Sequence, residues 1–133
     1  MLSISNTTTK QISLSESLLT EIAEKILDTS YDVSIVIVGE KRAFSLNKEY
    51  RNKEYTPNVL SFPLDETMGE IFLNPKSAVL EADKFSLTPL NYLYYLLIHS
   101  MLHLKGLDHG DEMTAEEVLY MKKFFDIDMS EIL

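Results

Sequence analysis

Residues 88–110 read TPLNYLYYLLIHSMLHLKGLDHG and contain all three histidines of the chain. Thr88-Pro89 is typical of a helix start, because a proline at the first helical position gives up no hydrogen bond. The apolar run that follows ends at Gly106, which can adopt the left-handed conformation that terminates a helix. The run is too short and too polar to span a membrane. The segment therefore predicts a central, mostly buried helix.

The histidines of this segment are spaced as metal ligands. His99 and His103 are four residues apart, so on a helix their imidazoles project from one face, offset by about 40° and by about 6 Å along the axis. The turn at Gly106 lets His109 approach the same point from a third direction. Three imidazoles suit zinc, and also nickel, copper or iron, and they leave a fourth position for water, as in catalytic zinc sites. We expect one ion per chain, with zinc as the default.

Two neighbours of the histidines bear on their role. Asp108, beside His109, is a candidate acceptor that would fix the tautomer of an imidazole, and it is equally suited to capping the next turn. The spacing His-x3-His-x5-His also occurs in metzincin peptidases, which need a glutamate directly after the first histidine as general base. Here that residue is Ser100, which cannot accept a proton near neutral pH, so a peptidase is disfavoured.

The rest of the chain alternates between strand and helix patterns. The alternation of Leu2 and Ile4 predicts a strand, and the β-branched run 33–38 predicts an inner strand. A capping box of Ser13 and Glu16 predicts the start of a first helix, and a second helix is predicted at Glu40–Arg51. A hairpin of strands 58–62 and 70–73 follows, and Asn74-Pro75 marks the start of another helix. A capping box of Thr114 and Glu117 predicts the start of the last helix, which buries Val118, Met121 and Phe125. The order β-α-β-α-β-β-α-α-α predicts one α+β domain over residues 1–133, with a mixed four-stranded sheet and about five helices.

Composition and charge limit the classes of function. A chain of 133 residues without cysteine has the size of one domain and can form no disulfide or thiolate metal site, which fits a cytoplasmic protein. The first ten residues lack the features of a secretory signal. The net charge of −9 argues against a general nucleic-acid coat protein. The stretch 41–53 is nevertheless basic, which indicates either a solvated helix face or a contact surface for phosphates; its basic residues are Lys41, Arg42, Lys48, Arg51 and Lys53.

Three segments together resemble the YbeY family of bacterial rRNA-maturation endoribonucleases. The first is the histidine motif 99–109 with its ending His-Leu-x-Gly-x-Asp-His, the second is LNKEYR at 46–51 followed by NVLSFP at 58–63, and the third is GEIF at 69–72. They occur in the family's order, and the resemblance covers most of the chain from about residue 31. Pro57 stands where the family commonly has threonine, and Glu54 and Glu70 stand where aspartates are frequent.

This resemblance implies a function and a set of site residues. His99, His103 and His109 correspond to the family's metal ligands, and Arg51 corresponds to its functionally required arginine, whose guanidinium suits the oxygens of a phosphodiester. Lys48, Lys53 and Ser61 are further candidates for substrate contact. The implied activity is zinc-dependent cleavage of single-stranded RNA in 16S rRNA maturation and ribosome quality control, with a ribosomal protein or ribosome-associated GTPase as a partner. A metal-stabilised ribosome-assembly module that does not cut RNA, and a metallopeptidase-like hydrolase, remain the alternatives.

Overall fold

The computed structural model describes residues 1–133, and its elements follow the predicted order. The strands are β1 (Leu2–Asn6), β2 (Asp32–Ile37), β3 (Val59–Asp65) and β4 (Met68–Leu73). The helices are α1 (Glu16–Leu27), α2 (Glu40–Arg51), α3 (Pro75–Val79), α4 (Pro89–Lys105) and α5 (Asp111–Phe125), and a short 3₁₀ helix at Ala82–Phe85 precedes α4. The predicted α+β fold with five helices is confirmed.

The four strands form one mixed sheet in the order β1-β2-β4-β3. β1 and β4 both run parallel to β2, whereas β3 and β4 form an antiparallel hairpin. Parallel neighbours need a crossover connection. The chain makes one through α1, from β1 to β2, and a longer one through α2 and β3, from β2 to β4. This connectivity leaves β3 at the edge of the sheet, next to the segment that ends α2.

The two faces of the sheet carry hydrophobic cores of very different size. α4 lies on one face within a cluster of 26 buried residues. No helix of the chain combines the length and the apolar character needed to cross a membrane. α2 packs on the opposite face over a cluster of four buried residues. Successive strand residues point to opposite faces, so Phe72 belongs to the small cluster while Ile71 and Leu73 belong to the large one.

The ends of α4 agree with the sequence prediction, whereas both predicted capping boxes are wrong. The hydroxyl of Thr88 accepts a hydrogen bond from the backbone N–H of Asn91 at 3.2 Å, and Gly106 ends α4 with φ 112°. α1 is capped by Ser15 instead of Ser13, because the Ser15 hydroxyl accepts from the backbone N–H of Leu18. α5 begins at Asp111, three residues before Thr114. The predicted partner of Thr114, Glu117, therefore lies inside α5 and is available for a tertiary contact.

Candidate metal centre and cleft

The three histidines converge at the end of α4. Their nearest ring nitrogens all lie within 4.8 Å of one another, and the Nε2 atoms of His99 and His103 are 3.2 Å apart. The ring centroid of His109 is 5.2 Å from that of His99 and 4.8 Å from that of His103. α4 supplies the first two rings, and the turn at Gly106 brings the chain back so that His109 completes the group.

The two helical imidazoles are held through their Nδ1 atoms. Nδ1 of His99 donates to a carboxylate oxygen of Glu117 at 2.6 Å, and Nδ1 of His103 donates to the backbone carbonyl of Leu107 at 3.0 Å. An ionised carboxylate and a carbonyl can only accept, so the proton of each neutral ring sits on Nδ1. Each Nε2 then carries a free lone pair, and both lone pairs point into the same space.

This arrangement fits a zinc-type cation. Two Nε2 lone pairs only 3.2 Å apart have no proton to share and repel each other unless a cation lies between them. Two ligands of a tetrahedral zinc ion, each about 2.0–2.1 Å from it, are about 3.3 Å apart. Burial, and next the proximity of His99, lower the pKa of His103, which keeps that ring in its neutral, ligating form. The donor set of three imidazoles also matches the preference of borderline transition metals.

Glu117 is a site residue that the sequence did not reveal. Its side chain is almost fully buried in α5, where a carboxylate is costly unless it is paired, and its partner is His99. Burial, and next the charge of Glu117, raise the pKa of the nearby Tyr95 hydroxyl well above its usual range. A carboxylate behind a ligating imidazole fixes the ring and makes it a better ligand. Since Glu117 is 18 residues from His99, no local pattern marks the pair.

Asp108 forms neither of the hydrogen bonds that the sequence suggested. It is exposed on the wall of the cleft, where it makes no hydrogen bond to a histidine ring, and the N-cap of α5 has no side-chain hydrogen bond. The backbone N–H of Leu107 bonds back to the Leu102 carbonyl at 3.0 Å. This turn brings the Leu107 carbonyl to His103 and leaves Asp108 outside it. Asp108 acts on His103 only through its charge, which opposes the lowering of the His103 pKa.

A cleft of about 670 Å³ opens beside the histidines. Arg51 reaches it from the last residue of α2, and Ser61 reaches it from β3. The Arg51 side chain is exposed and has no ion-pair partner within the chain, so its guanidinium is free to bind an anion. Lys48 and Lys53 are exposed but do not line the cleft. The structure thus brings Arg51, Ser61 and the histidines together and leaves the two lysines outside.

Aromatic rings form part of the cleft wall that the sequence did not indicate. Phe85 stacks on Tyr92 with ring centroids 5.0 Å apart, and Tyr92 stacks on Tyr95 with centroids 5.9 Å apart. The Asn58 amide donates to the carboxylate of Glu81 at 3.4 Å and to the Tyr92 hydroxyl at 3.3 Å, which ties β3 to this stack. Both tyrosines of the stack are buried, so the stack shapes the cleft wall and leaves little ring surface for a substrate.

Comparisons with known proteins agree on one family. The family model described as Endoribonuclease YbeY matches residues 3–125. The Endoribonuclease YbeY of Alkaliphilus metalliredigens is 33% identical over 116 residues, which cover 79% of this chain and 75% of the relative. That of a Sulfurihydrogenibium species is 31% identical over 126 residues, covering 85% and 83%. A solution structure of a Thermotoga maritima protein superposes with a TM-score of 0.67 at 28% identity, covering 95% of this chain and 90% of that one.

Proposed function

This chain belongs to the YbeY endoribonuclease family, and we propose that it is a zinc-dependent enzyme that cleaves single-stranded RNA in 16S rRNA maturation and ribosome quality control. Family membership identifies it as a hydrolase that acts on RNA. The metal, the single-strand preference and the rRNA target belong to the proposal. The observation that carries it is the convergence of three imidazoles and one unpaired arginine on one cleft.

The residues of the cleft divide the chemistry between them. His99, His103 and His109 hold the ion, which when bound supplies activation of water or of a ribose hydroxyl near neutral pH, or polarisation of a phosphoryl oxygen. Arg51 binds the phosphate and stabilises the negative charge that builds up on it during cleavage. Glu117 and the Leu107 carbonyl hold the helical imidazoles in the ligating tautomer. Ser61 and the exposed ring of Tyr55, which both line the cleft, contact the flanking nucleotides.

The surface charge bears on how the enzyme reaches its target. A net charge of −9 gives weak sequence-independent attraction to RNA. We therefore propose that a ribosomal protein or a ribosome-associated GTPase places the enzyme on rRNA in the cytoplasm. Binding and chemistry are then separate tasks, with the partner bringing the strand close and the cleft selecting the bond to be cut.

Single-turnover cleavage of single-stranded RNA tests the proposal. Metal-loaded wild type should cleave, and Arg51→Ala should be slower by about 10² or more, the effect of removing one preorganised donor to a transition state. Arg51→Ala should keep the fold and the metal, because Arg51 is not a ligand. Arg42→Ala is the matched control: Arg42 lies on the same helix but rests over the Phe72 ring at 5.8 Å and does not line the cleft, so at saturating enzyme its maximal rate should equal that of wild type.

The same experiment separates the enzyme from its alternatives. His103→Ala should lose cleavage by losing the ion, so equal rates in wild type, Arg51→Ala and His103→Ala would assign the cutting to a contaminating nuclease. In a ribosome-assembly module that binds rRNA without cutting it, no variant has activity to lose and Arg51→Ala weakens binding alone. A peptidase is disfavoured because Ser100, which is buried, occupies the place of the required general base.

A further inference from the structure

Three lysines from separate parts of the chain meet at a second depression, of about 400 Å³. Lys10 comes from the loop after β1, Lys41 from the first turn of α2 and Lys76 from α3. The chain has only 12 basic residues against 21 acidic ones, so the meeting of three lysines at one place departs from the character of the whole surface. We call Lys10, Lys41 and Lys76 the distal lysine site.

The loop that carries Lys10 is held in place by hydrogen bonds. The backbone N–H and the hydroxyl of Thr7 both donate to the carbonyl of Ile37 at the end of β2, at 3.0 and 2.6 Å. The Asn6 amide donates to the Lys10 carbonyl at 2.7 Å, and its oxygen accepts from the backbone of Thr8 at 2.9 Å. The backbone that positions Lys10 beside α2 is therefore ordered before any ligand arrives.

The lysine side chains themselves are available. Lys10 and Lys41 have no ion-pair partner in the chain, and Lys76 has one, the exposed carboxylate of Glu40 at 3.6 Å. Exposed pairs of this kind contribute little to stability, so the Lys76 ammonium can exchange the Glu40 carboxylate for a phosphate at a low cost in free energy. Ammonium groups attract phosphates as point charges, without the fixed geometry that guanidinium imposes.

A shallow groove along α2 leads from the distal lysine site towards the metal cleft. A third depression shares Glu40 and Lys41 with the distal site and continues past Phe44 to Thr56. The next residue towards the cleft, Tyr55, lines the cleft itself. From Lys41 to Arg51 the helix rises about 15 Å. The partly exposed rings of Phe44 and Tyr55 lie along this path, and such rings stack on unpaired bases.

We propose that the RNA strand cleaved between Arg51 and the histidines continues along α2 and rests further backbone phosphates on Lys10, Lys41 and Lys76. The inference rests on the proposed endoribonuclease function and extends its substrate to a single strand several nucleotides long. A single strand is favoured over a duplex because the aromatic rings along the groove offer stacking only to bases that are unpaired. The distal lysine site supplies affinity and leaves the chemical step to the cleft.

The test compares RNA oligonucleotides of about 3 and about 12 nucleotides, below and within the usual range of single-strand sites. The variant is Lys10→Glu/Lys76→Glu, and the matched control is Lys25→Glu/Lys123→Glu, which reverses two exposed lysines on α1 and α5. The measurement is the enzyme concentration that half-saturates single-turnover cleavage, taken over a range of salt. For the long oligonucleotide, the log–log salt slope should fall by about 1.4 in the variant, or about 0.7 for each lost phosphate contact. The short oligonucleotide and the maximal rate should not change.

The possible outcomes separate this proposal from the one on which it rests. If wild type cleaves both oligonucleotides but the variant matches the control, the distal lysine site is overturned and the endoribonuclease stands. An equal loss on short and long RNA also overturns it, since the defect then lies in the cleft. If metal-loaded wild type cleaves neither, both proposals fall. A metal content equal to that of wild type shows that Lys10→Glu/Lys76→Glu is folded. If this variant does not fold, Lys10→Gln/Lys76→Gln, which removes the two charges without reversing them, takes its place.

Discussion

α4 and α2 lie on opposite faces of the sheet and both contribute residues to the cleft, but they are built in different ways. Eleven of the 17 residues of α4 are buried, whereas only two of the 12 residues of α2 are. α4 lies within the 26-residue cluster, and α2 rests on a cluster of four. A metal site needs its ligands held within about 0.5 Å, which a packed helix provides. Attraction between a basic side chain and a phosphate acts over a longer distance and tolerates exposure.

The two helices should respond differently to substitution. On α4, a substitution at the site acts through the geometry of the ion and should be nearly independent of salt. On α2, a substitution acts through charge, which a Debye length of about 8 Å screens at physiological ionic strength. We therefore expect large, discrete losses on the α4 side and graded, salt-dependent losses for the lysines of the α2 side, with Arg51 as the exception because it acts on the transition state.

The largest effect is expected for His103→Ala on α4. Metal content should fall from about one ion per chain to near zero, because two imidazoles with no fixed third partner do not retain the ion. The variant should also lose the stabilisation that a bound ligand gives by mass action, about 2.7 kcal/mol when free metal is at about 100 times its Kd. Elemental analysis measures the metal content, and thermal unfolding with and without chelator measures the stabilisation by bound metal. Lys105→Ala, at an exposed position of α4, is the control, and an unchanged metal content in His103→Ala would refute the site.

A smaller effect is expected for Glu117, which acts on the ion only through His99. Glu117→Ala removes the acceptor of the His99 Nδ1 proton, and loss of such a partner typically costs about 10–100-fold in metal affinity. Glu117→Gln keeps an acceptor oxygen and should lose less. Competition with a chelator of known affinity measures the change, with Glu112→Ala, an exposed residue of α5, as the control. If Glu117→Ala binds metal as tightly as wild type, the buried carboxylate does not position the ligand.

The sequence predicted those elements whose signals are local. Thr88, Pro89 and Gly106 mark both ends of α4 within a few residues, and the histidine spacing follows directly from that helix. The sequence predicts the cap of α1 at Ser13, two residues too early. Ser13 and Ser15 both precede the helix, and only the geometry of the turn shows that Ser15 is the cap. The strand order β1-β2-β4-β3 depends on crossovers that no short pattern encodes.

The residues of the site also differ in whether a local sequence signal predicts them. The three histidines are close in sequence and could be predicted as a group, whereas Arg51 was assigned through the family resemblance and is brought to the cleft by α2. Glu117 and the distal lysine site come together only through packing between separate elements. The local sequence predicts that Glu117 caps a helix, because a glutamate three residues after a threonine carries the same signal whether it faces solvent or a histidine.

The smallest effect is expected for the exposed lysines beside Arg51. Lys48 precedes Arg51 by about one helical turn, and Lys53 lies just beyond Asn52, the residue that caps the end of α2. The ion pair between Lys48 and Glu54, at 3.7 Å, is exposed and weak, so both ammonium groups can turn towards a bound strand. Lys48→Glu/Lys53→Glu should therefore reduce the salt slope of single-stranded RNA binding by about 1.4, or about 0.7 for each contact.

Metal content and the fold should not change in this variant, since α2 holds no ligand. The measurement is the dissociation constant for single-stranded RNA over a range of salt, compared with Lys25→Glu/Lys123→Glu, which makes the same change in net charge elsewhere. If both variants shift the slope equally, the effect belongs to net charge and the α2 face has no special role. If only Lys48→Glu/Lys53→Glu shifts it and metal affinity stays constant, the two sides of the cleft act independently, with the ion held by α4 and the RNA backbone by α2.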